Sequence, residues 1–182
     1  MELLTPHLTL REFRERDFVL FRELEAHPAT YQYESTHPDE ASTRVYLEKA
    51  QSDALKTVRT RYRFAMSIRP NDEVRGRVTL ALINDSIREW EIGWALHPDF
   101  WGKGIATEAA RRLLEFAITG LKAHRVVAFS HAQNTASLRV MKKIGMQQEG
   151  LLRETRLWNG AWSDEVVFSI LDRQWGGVRD NG

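Results

Sequence analysis

The chain has 182 residues, 42% hydrophobic and 28% charged, which suits a single domain over residues 1–182 with a buried core. The formal net charge is +1 and no apolar stretch reaches the ~18 residues of a membrane span, so we expect neither a nucleic-acid nor a membrane partner. Cysteine is absent, which excludes disulfides and a cysteinyl acyl intermediate, and the six histidines lack metal-ligand spacing. Because the N-terminus also lacks a signal-peptide pattern, the sequence predicts a cytoplasmic protein that uses no metal.

Strand and helix patterns alternate along the first half of the chain. Residues 8–13 ("LTLREF") alternate in polarity like a short strand. Helical patterns follow over 16–26 and over 39–55, the second behind a stretch rich in helix-starting residues. Further strands are predicted at 62–68 and, beyond the turn "PNDE", at 78–82.

The second half contains a strand, a helix and a strand in succession. The first strand is predicted at about 87–97. The helix runs from about 105 to 119, and Gly120 follows where a left-handed C-cap is favoured. "HRVVAFSH", residues 124–131, supplies the next strand. This order predicts a right-handed parallel crossover.

The loop before that helix reads "HPDFWGKGIATEA" over residues 97–109. Gly102 and Gly104 flank Lys103 directly before an apolar, helix-forming run. A glycine-rich turn at a helix N-terminus offers unpaired N–H groups, and the helix dipole favours an anion there. Glycine also lets the backbone approach a bulky polyphosphate. The pattern predicts a phosphate-binding loop, although Gly-Lys-Gly before a helix is also typical of an ordinary tight turn.

Two common phosphate loops do not fit this sequence. The P-loop requires G-x-x-x-x-G-K-[ST], and no such string occurs. The dinucleotide fingerprint requires a third glycine or alanine where this chain has Thr107. It also requires an acidic residue about 20 residues later, where this chain reads "HRVVAFS".

A third pattern fits. "WGKGIA", residues 101–106, resembles the acyl-CoA pyrophosphate loop of the GNAT superfamily of N-acyltransferases, roughly [Q/R]-G-x-G-x-[G/A]. Trp101 replaces the usual Gln or Arg, and an aromatic residue there is typical of the RimJ/RimL-type branch. "NTASLRVMKKIGMQQEG", residues 134–150, resembles that branch's N-x-x-S-x-x-V-x-x-K-x-G-F-x-x-E-G signature, with Met146 in place of Phe. "LTLREFRERD" and "LLRETRLWNGAWSDEVVFSIL" resemble its first strand and its closing hairpin.

The resemblance covers about residues 8–175 and implies an α/β fold followed by a short flexible C-terminal tail. That fold is a twisted, mixed seven-stranded sheet with helices on both faces. Its central parallel strands, the fourth and fifth, are here about 87–97 and 124–131 and would splay apart. The resemblance also implies that acetyl-CoA is the co-substrate and that its pantetheine arm enters this gap.

The cofactor contacts that the resemblance implies come from two segments. One is the backbone of the fourth strand, at Trp94, Ala95 and Leu96, with core packing as the alternative for the Trp94 side chain. The other is the loop, whose amides would bind the pyrophosphate: Gly102, Lys103, Gly104, Ile105, Ala106 and Thr107.

Asn134 and Ser137 stand three residues apart at the start of a predicted helix that ends at Gly145. An apolar i,i+4 stripe marks this helix: Ala136, Val140 and Ile144. Taken alone, Asn134 predicts a helix cap and Ser137 a hydrogen bond to the preceding turn. The resemblance implies instead that Asn134 contacts the cofactor arm and that Ser137 gives a proton to the leaving thiolate. Lys143 matches the signature lysine, and an exposed, solvated lysine is the alternative.

The resemblance implies direct attack of an amine on the thioester in a ternary complex. Glu91 is the candidate general base, because it lies on the cofactor-binding strand opposite the face of Trp90 and Trp94. A surface or ion-paired carboxylate is the alternative for Glu91. Three other acids are weaker candidates: Glu149, Glu154 and Asp164. In some members of the branch the base follows the signature helix, where this chain has Arg156.

The branch acetylates N-terminal α-amines of ribosomal proteins, and its relatives act on polyamines, amino acids or aminoglycosides. A site for polycations should be strongly acidic, whereas the predicted rim segments "YQYESTHPDEAS" and "RETRLWNGAWSDE" carry mixed charge and several aromatic residues. We therefore favour a peptide terminus or a modest amine as acceptor. An acyl-CoA sensor without turnover and a protein-interaction module remain alternatives. Dimers are common in this branch, so a homodimer is one assembly that the resemblance suggests.

Overall fold

The structure is a computed structural model that describes residues 1–34, 37–158 and 160–176. Eight strands follow in chain order: β1 (Glu2–Leu4), β2 (Leu8–Glu12), β3 (Arg61–Ile68), β4 (Val74–Asn84), β5 (Glu89–Leu96), β6 (Arg125–His131), β7 (Gln147–Trp158) and β8 (Ala161–Leu171). They form one sheet in the order β1-β2-β3-β4-β5-β6-β8-β7. Every neighbouring pair is antiparallel except β5 and β6, which are parallel.

Five α-helices occur in the described ranges: α1 (Phe18–Ala26), α2 (Pro28–Tyr31), α3 (Glu40–Ala54), α4 (Ile105–Glu115) and α5 (Thr135–Lys143). α4 and α5 belong to the larger buried cluster, on one face of the sheet. α1 and α3 pack on the opposite face around a second cluster that includes Phe21 and Leu47. The predicted α/β architecture, a mixed sheet with helices on both faces, is confirmed.

α4 buries the apolar stripe that the sequence predicts. Its buried residues recur every four positions and continue past the helix end: Ile105, Ala109, Leu113 and Ala117. A helix with one such stripe is held by packing against the sheet, because short isolated helices are only marginally stable in water. This packing fixes the N-terminus of α4 beside the C-terminal end of β5.

The sheet has one strand more than the seven predicted. The additional strand is β1, which pairs antiparallel with β2, and its Leu3 is buried in the main core. Three residues with one buried side chain give too short an alternation for a pattern-based prediction. The predicted fourth and fifth strands are therefore β5 and β6.

β5 and β6 separate along their length. They pair at only three positions: Glu89 with Arg125, Trp90 with Val126 and Glu91 with Val127. Beyond Glu91, β5 stays paired with β4 as far as Leu96, and β6 stays paired with β8 as far as His131. The splay predicted for the two central parallel strands is thus present, and it begins after Glu91.

The prediction of a left-handed C-cap at Gly120 is wrong. After α4 the chain makes a π-helical turn, Phe116–Gly120, which the Leu121 N–H closes by donating to the Phe116 carbonyl at 3.1 Å. The left-handed backbone conformation falls two residues later, at Lys122 with φ 57°. Gly120 instead leaves space for the Phe116 ring, because a Cβ at that position would lie 3.0 Å from a ring carbon.

α5 also differs from its predicted stripe. Ala136 is exposed, whereas Met141 and Ile144 are buried and Leu138 is half-buried. The helix therefore turns the face of Leu138, Met141 and Ile144 toward the core. Its end at Gly145 is as predicted, with a φ of 90° that favours glycine.

No helix in the part of the chain described here is long and apolar enough to cross a bilayer. The predicted C-terminal tail beyond Gly176 lies outside the described residues.

Candidate active site

The loop between β5 and α4 depends on two glycines with left-handed backbone. Gly102 has φ 75° and Gly104, the N-cap residue of α4, has φ 78°. A Cβ built at either position meets nothing within 4 Å. Positive φ is therefore what requires glycine at both positions, since L side chains rarely adopt it. The same open space leaves the surface of the loop accessible to a large ligand.

The loop presents a row of backbone donors. From Gly102 to Thr107, no N–H donates a hydrogen bond to another described residue. The Lys103 ammonium donates to the Asp99 carbonyl at 3.0 Å, which holds its side chain along the preceding turn. Free N–H groups at the positive end of a helix dipole bind anions. The residues present therefore fit a pyrophosphate.

Trp101 ties this loop to the end of β5. Its indole Nε1 donates to the Leu96 carbonyl at 2.7 Å, while the ring is 42% exposed. A Gln or Arg, the usual residue at this position in the family pattern, is a different kind of donor. The sequence indicated the departure at Trp101 but not this contact, because only folding brings the indole to the strand.

The β5 residues predicted to contact the cofactor lie along the splayed part of the strand. Trp94 and Ala95 are half-buried and Leu96 is buried. None of the three pairs with β6, so this side of β5 has no neighbouring strand. The Leu96 carbonyl already accepts the indole N–H of Trp101. The Ala95 N–H and carbonyl point toward Arg77 of β4, because His97, two residues on, donates its N–H to the Arg75 carbonyl and the direction of these groups alternates along a strand. Trp94 is therefore the freer backbone position.

Asn134 and Ser137 lie at the start of α5, at the same end of the sheet as the loop. The Asn134 Oδ1 accepts a hydrogen bond from the Ser137 N–H at 3.1 Å, so Asn134 caps the helix. This contact uses the backbone of Ser137 and leaves its half-buried hydroxyl without a recorded hydrogen bond to another described residue. The cap and a further contact by either side chain are therefore compatible.

Lys143 lies at the other end of α5 and is exposed. Its backbone carbonyl accepts a hydrogen bond from Arg111 Nη2 at 3.1 Å, which places the end of α5 beside the middle of α4. Lys143 thus neighbours the second turn of α4 and not the glycines of the loop.

Glu91 stands where β5 and β6 diverge. It projects from the sheet face opposite Trp90 and lines an open cavity of about 640 Å³ between α3 and strands β3 to β5. Glu91 is exposed toward this open cavity, yet the surrounding protein partly desolvates its carboxyl and raises the pKa of that carboxyl. The nearby Glu165 carboxylate raises this pKa further, while Arg61 and Arg156 oppose the increase. A carboxyl with a raised pKa beside a cavity is a candidate for proton transfer.

The weaker candidate acids have other surroundings. Arg125 and Ser169 hydrogen-bond Glu149 and lower the pKa of its carboxyl to about 2. Arg125 stands at the first residue of β6, away from the splayed end, so Glu149 is separated from the loop. Asp164 Oδ1 accepts the Glu154 N–H at 2.9 Å, at an irregularity in the pairing of β7 with β8. Glu154 itself is exposed with φ 53°.

The structure adds a buried histidine that the sequence analysis did not single out. His131 ends β6 on the same face as Glu91, and its ring packs 5.1 Å from Tyr33 and 5.0 Å from Trp158. Its Nδ1 accepts the Gln133 N–H at 3.1 Å. Burial lowers the pKa of His131, and the charge of Arg156 lowers it further. Neutral His131 therefore forms part of an aromatic wall near the splay.

Arg156, which stands where some relatives carry the base, has a structural partner. Its Nε donates to Glu165 Oε1 at 2.6 Å. Both members of this pair act on Glu91: the Glu165 carboxylate raises the pKa of the Glu91 carboxyl, and the Arg156 guanidinium lowers it. No local pattern in the sequence predicts this pair, because β7 and β8 pair with irregular register around it.

Comparison with known proteins agrees with this geometry. Residues 7–147 match the acetyltransferase (GNAT) domain family. The chain is 29% identical over 177 residues to the uncharacterized N-acetyltransferase YnaD of Bacillus subtilis (strain 168), covering 96% of this chain and 99% of that protein. The crystal structure of a GNAT-family acetyltransferase from Bacillus anthracis has a TM-score of 0.84 at 26% identity, covering 95% of this chain and 99% of the other. Mycobacterium smegmatis RimJ in complex with CoA-disulfide shares the fold, with a TM-score of 0.82 at 22% identity, covering 97% and 88%.

The family match extends over most of the chain and includes the loop, the splayed strands and α5. GNAT acetyltransferases use acetyl-CoA and an amine acceptor, which agrees with an anion-binding loop next to an unpaired strand edge. The chain therefore belongs to the GNAT family and is an acetyl-CoA-dependent N-acetyltransferase.

Proposed function

We propose that this enzyme transfers the acetyl group directly to an α-amino group, that of a peptide or protein N-terminus, as in the RimJ/RimL-type branch. The observation that carries the proposal is the position of Glu91. Its carboxyl, with a raised pKa, lies at the divergence of β5 and β6 and lines the cavity under α3. An amine entering through that cavity meets the base and the unpaired edge of β5 together.

The residues proposed to bind acetyl-CoA lie on the other side of the splay. The free N–H groups from Gly102 to Thr107 suit the pyrophosphate, and the unpaired edge of β5 at Trp94 suits the amide groups of the pantetheine arm. The Asn134 side chain retains its Nδ2 donor while capping α5, and this donor would contact the arm. Lys143 lies beside the second turn of α4, away from the loop, and would contact only a part of the ligand that extends beyond the pyrophosphate.

Glu91 is proposed as the general base. Acetyl-CoA supplies the acetyl group as a thioester. As the nitrogen–carbon bond forms and the carbon–sulfur bond breaks, Glu91 would receive the proton that the nitrogen loses. An α-amine with a pKa of ~7.7–8.0 is already about 10–20% neutral at pH 7, so a carboxylate base suffices. A lysine-type amine near 10.4 is less than ~0.1% neutral and would need stronger help.

Ser137 is proposed as the proton donor to the leaving sulfur. Its hydroxyl is half-buried at the start of α5, close to the end of β6, and its helix-capping contact uses the backbone only. With no cysteine in the chain, transfer without an enzyme-bound thioester is the consistent route. The hydroxyl would keep the sulfur from leaving as a bare thiolate.

A small-molecule amine is the second candidate acceptor. A cavity of about 640 Å³ has the size of a typical ligand pocket. Four of its five charged side chains are cationic, which argues against spermidine-like polycations and aminoglycosides and in favour of an amine with a low positive charge.

A mass-shift screen tests the acceptor class. The enzyme is incubated with acetyl-CoA and, separately, with short peptides, amino acids, polyamines and aminoglycosides, and products and free CoA are quantified. We expect one added acetyl group on peptide α-amines, blocked when the N-terminus is already acetylated. Acetylation of small amines alone would favour the second candidate. Binding of acetyl-CoA without CoA release from any amine would overturn both and indicate a sensor.

A further inference from the structure

The cavity beside Glu91 has a cationic lining. It opens to solvent between α3 and strands β3, β4 and β5, and its charged residues are Lys49, Arg61, Arg63, Arg77 and Glu91. Four cations and one carboxylate therefore face the space in which an acceptor amine would lie. An amine is itself cationic before it reacts, so this imbalance demands an explanation.

Two of these cations are neutralised within the fold. Arg63 hydrogen-bonds and ion-pairs with Asp53, and both side chains are almost buried. Arg77 Nε donates to Glu25 Oε1 at 3.2 Å. These two guanidinium groups thus have structural partners and need no ligand.

The other two cations have no carboxylate within 4 Å among the described residues. Lys49 and Arg61 are both exposed at the cavity, one on α3 and one at the start of β3. Lys49 also lines, with Arg61, a smaller adjoining cavity of about 290 Å³. Two cations without partner carboxylates on facing walls form a site that an anion can complete.

The sheet register fixes how far this site lies from the base. Arg61 pairs with Ala81, and Ala81 pairs with Glu91, so the three form one row across β3, β4 and β5. Neighbouring strands lie ~4.8 Å apart, which puts the Arg61 and Glu91 backbones roughly 10 Å apart on the same face. Both side chains can then reach two ends of one small group.

Tyr46 provides a further donor on the α3 wall. Its hydroxyl oxygen is buried and has no hydrogen-bond acceptor among the described residues. Burial raises the pKa of this phenol, so it stays protonated and can donate. A buried donor without an acceptor is costly, and an anion in the cavity would satisfy it.

We propose that the acceptor carries an anionic group, a carboxylate or a phosphate, close to the amine that is acetylated. The amine faces Glu91 and the anion contacts Arg61 and Lys49. This inference rests on the proposed function, since it names the class of acceptor for the same site. Peptide N-termini with a carboxylate or a phosphorylated side chain close to the α-amine satisfy it, whereas polyamines do not.

Matched pairs of acceptors that differ in one charge test the inference. Ala-Ala is compared with Ala-Ala amide, Ala-Asp amide with Ala-Asn amide, and Ala-phosphoserine amide with Ala-Ser amide, so that every acceptor has a peptide α-amine, each with acetyl-CoA at a saturating concentration. We expect kcat/KM to be about 10-fold or more higher for the anionic member of at least one pair, because a charge-assisted hydrogen bond contributes ~1.5–3 kcal/mol. The pair with the largest ratio identifies the source of the anion.

Variants show whether the two cations are responsible. Arg61→Gln and Lys49→Gln should each collapse the ratio within that pair toward one, chiefly through KM of the anionic acceptor. Using the ratio removes any effect of Arg61 on the pKa of Glu91, since both acceptors share the base. Arg173→Gln, which removes an exposed charge beyond the end of β8, should leave the ratio unchanged.

The outcomes separate the two proposals. Equal kcat/KM for both members of every pair overturns the anionic acceptor while leaving α-amine acetylation intact, whereas a preference for spermidine overturns both. A preference for the anionic member that survives both variants also overturns the anionic acceptor. If no acceptor of either charge is acetylated although acetyl-CoA binds, the proposed function itself fails.

Discussion

The two sides of the splayed strands are built in different ways. On the α4 side, the loop from Gly102 to Thr107 offers backbone N–H groups whose positions follow from two positive φ angles and one helix end. On the α3 side, the cavity wall comes from side chains on α3, β3, β4 and β5. The first surface depends on local conformation, and the second depends on sheet register. Most substitutions on the backbone surface should therefore leave its N–H donors in place, except at the two glycines. On the side-chain surface, each substitution changes the charge or shape of the cavity directly.

The largest expected effect is on the backbone surface. Gly104→Asp introduces a carboxylate next to the free N–H groups at a residue with φ 78°. We expect the affinity for acetyl-CoA to fall about 100-fold or more, since at least two charge-assisted hydrogen bonds of ~1.5–3 kcal/mol each would be lost. Isothermal titration calorimetry on the folded variant measures this.

Gly160→Asp is the matched control for that variant. Gly160 has φ 77° in the turn between β7 and β8, and a Cβ there also meets nothing within 4 Å. The control thus carries the same backbone strain and the same added charge at another turn. Unchanged binding by Gly104→Asp would remove the loop from the cofactor site.

The next largest effect is on kcat, with the affinity for acetyl-CoA nearly unchanged. Ser137→Ala removes only the hydroxyl and keeps the backbone N–H, which donates to the Asn134 Oδ1. We expect kcat to fall about 100-fold, as is typical of a lost general acid, with little change in acetyl-CoA affinity. Steady-state kinetics and calorimetry separate the two quantities. Ser86→Ala, at an exposed turn, serves as control, and a kcat equal to that of the control would exclude the proton-donor role.

The third effect is a change in pH profile. The raised pKa of Glu91 means that wild-type activity declines as pH falls through that pKa, where the base becomes protonated. Glu91→Gln should lose most rate between this pKa and about pH 8, and least above it, where the α-amine is neutral without help. Rates from about pH 6 to 9 measure the ratio. A constant ratio across this range would make Glu91 a structural residue.

The smallest effect is on stability, at a carboxylate that we do not assign to catalysis. The folded-state pKa of Glu149 is lowered to about 2, so its stabilising contribution is present above the ordinary value near 4.5 and is lost as pH falls toward 2. Because Glu149 is partly exposed, Glu149→Gln should cost only about 1 kcal/mol near neutral pH. Urea unfolding at pH 7 and pH 3 tests this: the loss should be smaller at pH 3, where the contribution is partly gone, and a loss of equal size at both pH values would contradict the assignment to Arg125.

The sequence was sufficient for the features that depend on short-range pattern. The strand 89–96, the apolar stripe of α4 and the glycines of the loop each occupy a few consecutive residues, and their periodicity or backbone demand is visible directly. The end of α4 could not be predicted in this way. Gly120 is compatible with both a left-handed cap and a π-helical turn, and packing against Phe116 decides between them.

The acceptor side was much less predictable. Glu91 was placed on its face by strand alternation, yet its neighbours Arg61 and Glu165 come from β3 and β8. Their proximity depends on strand order and register, which no local pattern contains. For the same reason the distance of Glu149 from the loop could be recognised only once its partner Arg125 was known.

The short pairing of β5 with β6 has a consequence for the mechanics of the molecule. Past Glu91 and Val127, the half-sheet of β1 to β5 and the half-sheet of β6 to β8 share no backbone ladder, and side-chain contacts such as that of Trp158 with Tyr33 connect them there. A ligand that hydrogen-bonds to the open edge of β5 takes the place of a missing strand. A ligand bound at this edge should therefore connect the two half-sheets and make the protein more rigid, so that the unliganded form is the more flexible of the two.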